Sequence, residues 1–154
     1  MNKKEEFLKI SGNLNNELNI IPLLFGSLGL EQRLGIDLNP DDIDILIPEI
    51  YLNDNWEELE ELLGKSGYRL YDLHEHAFSK NSLNVAFAAL ESLKPFADID
   101  ISRIPVVEEK GIKYYLLDLK DYLKVYTASA KDGYRVNKKN KQDSEKIRLI
   151  EQAL

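Results

Sequence analysis

Phe7, Leu8, Ile10, Leu14 and Leu18 recur at helical spacing and predict a helix over residues 3–18, with Gly12 inside it. The run Ile20-Ile21-Pro22-Leu23-Leu24-Phe25 is continuously apolar and reads as a short buried strand. Pro22 cannot donate to a ladder, so this strand begins irregularly or lies near a sheet edge. Residues 27–34 read as a short helix opening directly after Gly26-Ser27, and residues 35–40 as a loop. A second strand covers residues 42–47 and ends at Pro48. Over residues 55–65, Trp56, Leu59, Leu62 and Leu63 fall on one side and glutamates on the other. That pattern predicts an amphipathic helix, capped by Asp54 or Asn55 and stopped by Gly67.

Residues 68–79 read as one long strand, with Lys80-Asn81-Ser82 as a hairpin turn and residues 83–88 as the return strand. Residues 89–104 admit two readings. Leu90, Leu93 and Ala97 fit a helix that Pro95 interrupts, whereas Phe96-Ala97-Asp98-Ile99-Asp100-Ile101 alternates as a strand does. A short strand follows over residues 111–117. Residues 118–131 form a helix with Leu119, Tyr122, Leu123 and Tyr126 on its inner stripe. Residues 132–141 are a basic, polar loop. A final helix spans residues 143–154, capped by Asp143 or Ser144, with Ile147, Leu149, Ile150 and Leu154 available for packing. The order predicts an α+β fold: a small mixed sheet flanked by helices, in one domain. Its core covers residues 18–117 and a helical tail covers residues 118–154.

Composition narrows the class. The 154 residues suffice for one domain with a real core, and 44% hydrophobic with 31% charged residues is a globular balance. No apolar run approaches the roughly 20 residues that span a bilayer, and the N-terminus shows no secretory signal. With no cysteine, disulfides and thiolate zinc sites are excluded, and a reducing, cytoplasmic compartment is expected. The net charge of −7 argues against a broad nucleic-acid surface, although residues 131–146 are locally basic.

Two short runs carry chemistry. Asp42 and Asp44 stand two apart in the apolar run Asp41-Asp42-Ile43-Asp44-Ile45-Leu46-Ile47-Pro48. In a strand they point to one face, with Ile43 and Ile45 behind them. Adjacent carboxylates repel unless a cation neutralises them, and their oxygens suit a hard ion such as Mg²⁺. A solvated strand face would show the same alternation. The other run, Phe25-Gly26-Ser27, puts a Gly-Ser pair at a strand-to-helix turn. Glycine lets the backbone approach an anion, and the helix N-terminus supplies donors and a favourable dipole. Taken alone it is an ordinary turn and cap. In this order the two runs suit phosphoryl or nucleotidyl transfer, with the turn gripping the outer phosphates and the carboxylates holding one or two ions.

Phe25-Gly26-Ser27 followed by Asp42-Ile43-Asp44-Ile45-Leu46 resembles the signature of the nucleotidyltransferase superfamily, which includes DNA polymerase beta, the lincosamide and aminoglycoside nucleotidyltransferases and the minimal nucleotidyltransferases of toxin–antitoxin systems. The Gly-to-Asp spacing is similar to the longer variant of that signature. The runs Leu119-Lys120-Asp121-Tyr122-Leu123, Ala130-Lys131-Asp132 and Asp143-Ser144-Glu145-Lys146-Ile147 look like the helical tail of such proteins. The resemblance implies Mg²⁺ dependence with a two-metal site. It also implies a nucleoside triphosphate as substrate and transfer of a nucleoside monophosphate to a hydroxyl acceptor. A tRNA end is among the possible acceptors, and no membrane partner is implied. The alternative is a catalytically inactive binding or regulatory module, such as a member of a toxin–antitoxin pair.

The superfamily pattern includes a third carboxylate on a neighbouring strand. The first candidate is Glu75, in Leu73-His74-Glu75-His76-Ala77-Phe78; the second is Asp98, with Asp100 beside it. Asp42, Asp44 and Glu75 are thus the expected catalytic carboxylates. Asp98 is a further possible metal ligand, and Gly26 and Ser27 are the expected nucleotide grip. His74 and His76 share one strand face, opposite to Glu75, and could bind a metal or face a substrate. Lys131, Arg135, Lys138, Lys139 and Lys141 could hold triphosphate or form a solvated loop. Tyr114, Tyr115, Tyr122 and Tyr126 read as packing, with one free to stack on a base.

Overall fold

The computed structural model describes residues 2–131 and 140–154. The Asn2 side chain accepts from the Glu5 N–H and opens helix α1 (Lys3–Leu18), which Asn19 ends in a left-handed conformation. Strand β1 (Leu23–Phe25) runs straight into helix α2 (Gly26–Leu34). Strand β2 (Ile43–Ile47), helix α3 (Trp56–Lys65), strands β3 (Arg69–Asp72), β4 (Ala77–Lys80) and β5 (Leu83–Ala89), and the short helix α4 (Leu93–Ala97) follow. Strands β6 (Val106–Glu109) and β7 (Ile112–Tyr115) precede helices α5 (Leu119–Lys131) and α6 (Asn140–Ala153).

Seven strands among the described residues form one mixed sheet in the order β3-β4-β5-β2-β1-β7-β6. β1 pairs antiparallel with β2 and parallel with β7, and β2 pairs parallel with β5. β1 is therefore interior. Pro22 stands just before it and spends its carbonyl on the Tyr115 N–H at 2.7 Å, so the missing donor costs no ladder bond. Ile43, Ile45, Leu23 and Leu24 are fully buried, with Val85 and Phe87 beside them in the core. α1 packs on β7 through Phe7, whose ring meets Tyr114 edge-on at 5.1 Å. Trp56 of α3 lies 5.6 Å from Phe78, which meets Phe87 edge-on.

Three expectations are corrected and one open reading is settled. The long strand over residues 68–79 is two strands folded back on each other, with Arg69 opposite Ser79 and Leu70 opposite Phe78. The polar run Leu73-His74-Glu75-His76 turns the chain: Asp72 Oδ1 accepts from the Glu75 N–H, the His76 N–H reaches the Leu73 carbonyl, and His76 adopts φ +49°. Alternation either side of such a turn imitates a continuous strand. In residues 89–104 the helix prevails over the strand, because Pro95 falls in the first turn of α4, where its missing N–H is not needed. Asp98 then adopts φ +56° and breaks any extended path.

Strand β6 was not expected. Its half-exposed Val-Val-Glu-Glu shows no clear alternation, and it forms through a tight turn at Lys110 and Gly111, both at positive φ. Finally, α6 begins at Asn140, so Asp143 is not its cap. Asp143 is buried and accepts from Ser129 Oγ at 3.0 Å, tying α6 to α5. Of the expected loop over residues 132–141, residues 132–139 with Arg135, Lys138 and Lys139 lie outside the described residues, as does the side chain of Lys141, while residues 140 and 141 belong to α6 rather than to a loop. Among the described residues no helix is long and apolar enough to cross a membrane.

Candidate active site

The antiparallel register of β1 and β2 sets Phe25 opposite Asp44. The next residue, Gly26, has φ +63° and opens α2. A Cβ at Gly26 would run into Asp44 Oδ2 and stand 3.1 Å from its Cγ. The glycine is thus required twice, by its backbone angle and by the carboxylate lying against it. No side chain caps α2, which leaves its first N–H groups directed out of the helix beside Ser27.

The corner is held rigidly. Gly29 lets α2 sit close to β1, since a Cβ there would stand 2.5 Å from the Leu24 carbonyl oxygen. The Tyr122 hydroxyl, fully buried, donates to that same carbonyl at 2.9 Å. Burial pushes the Tyr122 hydroxyl pKa well up, so it remains a donor. Arg33 donates to the Leu117 and Leu116 carbonyls at 2.8 and 3.0 Å and fixes the far end of α2.

Gly26, Ser27, Asp42 and Asp44 line one side of a cavity of about 520 Å³. Asp42 immediately precedes β2, Asp44 lies in it, and both line the cavity. Tyr126 and Ser129 of α5 and Lys146 of α6 line the same cavity. Lys146 Nζ stands 5.2 Å from the centre of the Tyr126 ring. A second cavity of about 630 Å³ adjoins the first and shares Ser27, Asp41, Gln142 and Lys146 with it.

Of the two candidates for a third carboxylate, Glu75 lines the cavity and Asp98 does not. Glu75 sits in the β3–β4 turn rather than on a strand, so the expected opposition between Glu75 and the two histidines does not arise. Asp98 caps α4 and faces solvent, where its carboxylate accepts from Lys94 at 2.7 Å. That hydrogen bond and charge hold the Asp98 carboxyl below its ordinary pKa. Asp100 is used locally, accepting from the Ser102 N–H and hydroxyl.

The strand beside β2 contributes no acid. Asp44 pairs with Ala86, and Asn84, Ala86 and Ala88 share one face of β5. Among the described residues no three His, Cys, Asp or Glu side chains converge closely enough to hold a metal ion. His74 and His76 do not line the cavity; the His76 ring packs 5.2 Å from Trp56.

Lys146 was not singled out from sequence. Its signal was present: Gln142 and Lys146 are four apart, one turn on one face of α6. The carboxylate-side residues come from the core and the facing residues from the tail, so the cavity needs both.

An interior mixed sheet with the Gly26-Ser27 corner beside Asp42 and Asp44 defines a protein of the nucleotidyltransferase fold. Solved structures agree in fold. ANT(2'')-Ia in complex with adenylyl-2''-tobramycin superposes with a TM-score of 0.62, at 20% identity over 97% of this chain and 87% of that one. An antigenic nucleotidyltransferase-like protein from Paracoccidioides brasiliensis gives 0.66, at 16% identity over 96% of this chain and 75% of that one. No family profile matches the sequence. The chain belongs to the family of the Bacillus subtilis (strain 168) protein named Uncharacterized protein YnaI, to which it is 48% identical over 145 residues, 94% of this chain and 93% of that one.

Proposed function

We propose that this chain is a metal-dependent nucleotidyltransferase that moves a nucleoside monophosphate from a nucleoside triphosphate to a hydroxyl acceptor. The observation that supports the reading is the close approach of Asp44 to Gly26 at the N-terminus of α2, where Gly26, Ser27, Asp42 and Asp44 line one cavity. The donor set fits Mg²⁺, which is commonly held by one or two carboxylates together with substrate phosphates. Asp42 and Asp44 would hold it, and bound there it neutralises phosphate charge and stabilises the leaving pyrophosphate. Ser27 and the first N–H groups of α2 orient the outer phosphates. Lys146 faces them from α6 and offsets their remaining charge. Glu75 receives the acceptor's proton from the rim of the cavity. The cavity volume suits a nucleotide and falls within the range of small-molecule sites.

A second reading is favoured by one observation, the alanine opposite Asp44. In it the chain binds nucleotide without transferring it and serves as a binding or regulatory module. Isothermal titration of ATP or GTP with Mg²⁺ tests the shared premise, with the Asp42→Asn/Asp44→Asn double variant as control. Binding by the wild type that the variant loses is expected; equal behaviour of the two sinks the proposal. Mass spectrometry of acceptor mixtures after incubation with labelled nucleoside triphosphates and Mg²⁺ separates the readings. Labelled product supports transfer, and binding without product supports the module.

A further inference from the structure

The resemblance to nucleotidyltransferases implies two ions, and the residues around Asp44 provide for fewer. We propose that this site takes one divalent ion per chain together with bound nucleotide, and that Ala86 is the position that sets this number. The proposal rests on the nucleotide-binding reading above and refines it.

The argument begins with strand register. β2 and β5 run parallel, with Asp44 and Ala86 as Cα partners. Neighbouring strands lie about 4.8 Å apart, and paired residues point to the same face. A side chain at position 86 is therefore the immediate lateral neighbour of the Asp44 carboxylate. Ala86 and Ala88 line the cavity, so the face of β5 turned to the site ends in methyl groups.

Charge makes the same point. Two dications about 3.5–4 Å apart repel strongly, and sites that hold such pairs place anionic oxygens around and between them. Here β2 offers the carboxylates of Asp42 and Asp44, and β5 offers none. Glu75 reaches the cavity from a turn but does not join the pair in a three-ligand group among the described residues. A single ion has enough oxygens from Asp42, Asp44, the phosphates and water, whereas a second would lack ligands on the β5 side.

The consequence for chemistry is specific. With a methyl group at position 86, no acid on β5 can ligate an ion near the acceptor or take its proton. That leaves Glu75 as the carboxylate outside the run Asp41–Asp44 that lines the cavity among the described residues.

The test counts ions directly. Mn²⁺ is titrated into the full chain with a saturating non-hydrolysable ATP analogue, and free Mn²⁺ is read by electron paramagnetic resonance. The wild type is expected to bind one Mn²⁺ per chain at the site, and A86D to bind two. A86N, similar in shape but uncharged, is expected to remain at one. Two ions on the wild type, or no second ion on a folded A86D, overturns the proposal. If A86D fails to fold, the wild-type count alone decides. Absence of any Mn²⁺-dependent nucleotide binding by the wild type would instead strike the proposed function, so the two failures are distinguishable.

Discussion

Asp44 fills the space where a Cβ on Gly26 would stand, so no side chain larger than hydrogen fits at Gly26. Residues 18 apart in sequence are brought together by one hydrogen-bonded register, Phe25 opposite Asp44. Substitution at Gly26 should therefore disturb the carboxylate as well as the turn. Gly26→Ala is expected to lower nucleotide affinity by at least about tenfold and to cost about 1–2 kcal/mol of stability from the positive φ. Gly35→Ala is the matched comparison. Gly35 has φ +70° but nothing within 4 Å of a Cβ, so it should cost similar stability and leave binding unchanged. Titration calorimetry and thermal melts read both.

Asp44 and Glu75 line one cavity and should fail differently. Asp44→Asn is expected to abolish metal-dependent nucleotide binding. Glu75→Gln should bind nucleotide as the wild type does and lose about 10²-fold in turnover, the usual size of a lost general base. Asp98→Asn, on a solvent-facing ion pair with Lys94, should change neither. A Glu75→Gln variant of full activity would remove Glu75 from the mechanism.

Lys146 stands over Tyr126 and lines the same cavity as Asp42 and Asp44. Lys146→Met keeps much of the aliphatic stem and removes the charge. Affinity for a nucleoside triphosphate should fall about tenfold, with affinity for the monophosphate nearly unchanged, and the difference should shrink as salt is raised. Equal losses for both ligands would show that Lys146 shapes the cavity rather than holding phosphate.

A buried acid far from the cavity predicts a pH dependence of stability. Burial pushes the Glu6 carboxyl up, but hydrogen bonds from the Tyr68 hydroxyl at 2.8 Å and from Lys9 at 3.2 Å, with the Lys80 charge, outweigh it. The net result is a carboxyl below its ordinary range. A folded-state pKa below the unfolded value stabilises the fold above the unfolded pKa, and that stability is lost as pH falls through the folded value. Glu6→Gln should thus be less stable than wild type by about 1–3 kcal/mol at pH 7, with the gap closing below about pH 4. Urea unfolding at the two pH values measures it. A gap that is constant with pH would show packing rather than charge.

Local patterns in the chain were enough for much of this. Helical periodicity located α1, α3 and α5, because each must bury one stripe of apolar residues and the stripe is written every three to four positions. The two-residue strand period singled out Asp42 and Asp44, both of which line the cavity, and glycine chemistry marked the turn at Gly26. Periodicity misled where a polar turn interrupted alternation, at residues 73–76, and where an edge strand carried little of it, at β6.

Pairing between distant segments lay beyond those patterns. Ala86 lies opposite Asp44 through a register linking residues 42 apart, and nothing within either strand encodes it. The Asp98 carboxylate is well patterned but turned to solvent by a left-handed cap. Glu75, in a turn rather than a strand, does reach the cavity. Lys146 reaches it because α6 packs on α5, an arrangement supported by the buried Ser129–Asp143 bond. A local repeat reports which face of one element is apolar. Which elements meet is settled by burial and hydrogen bonding summed over the whole sheet and its helices, and the functional geometry here depends on that sum.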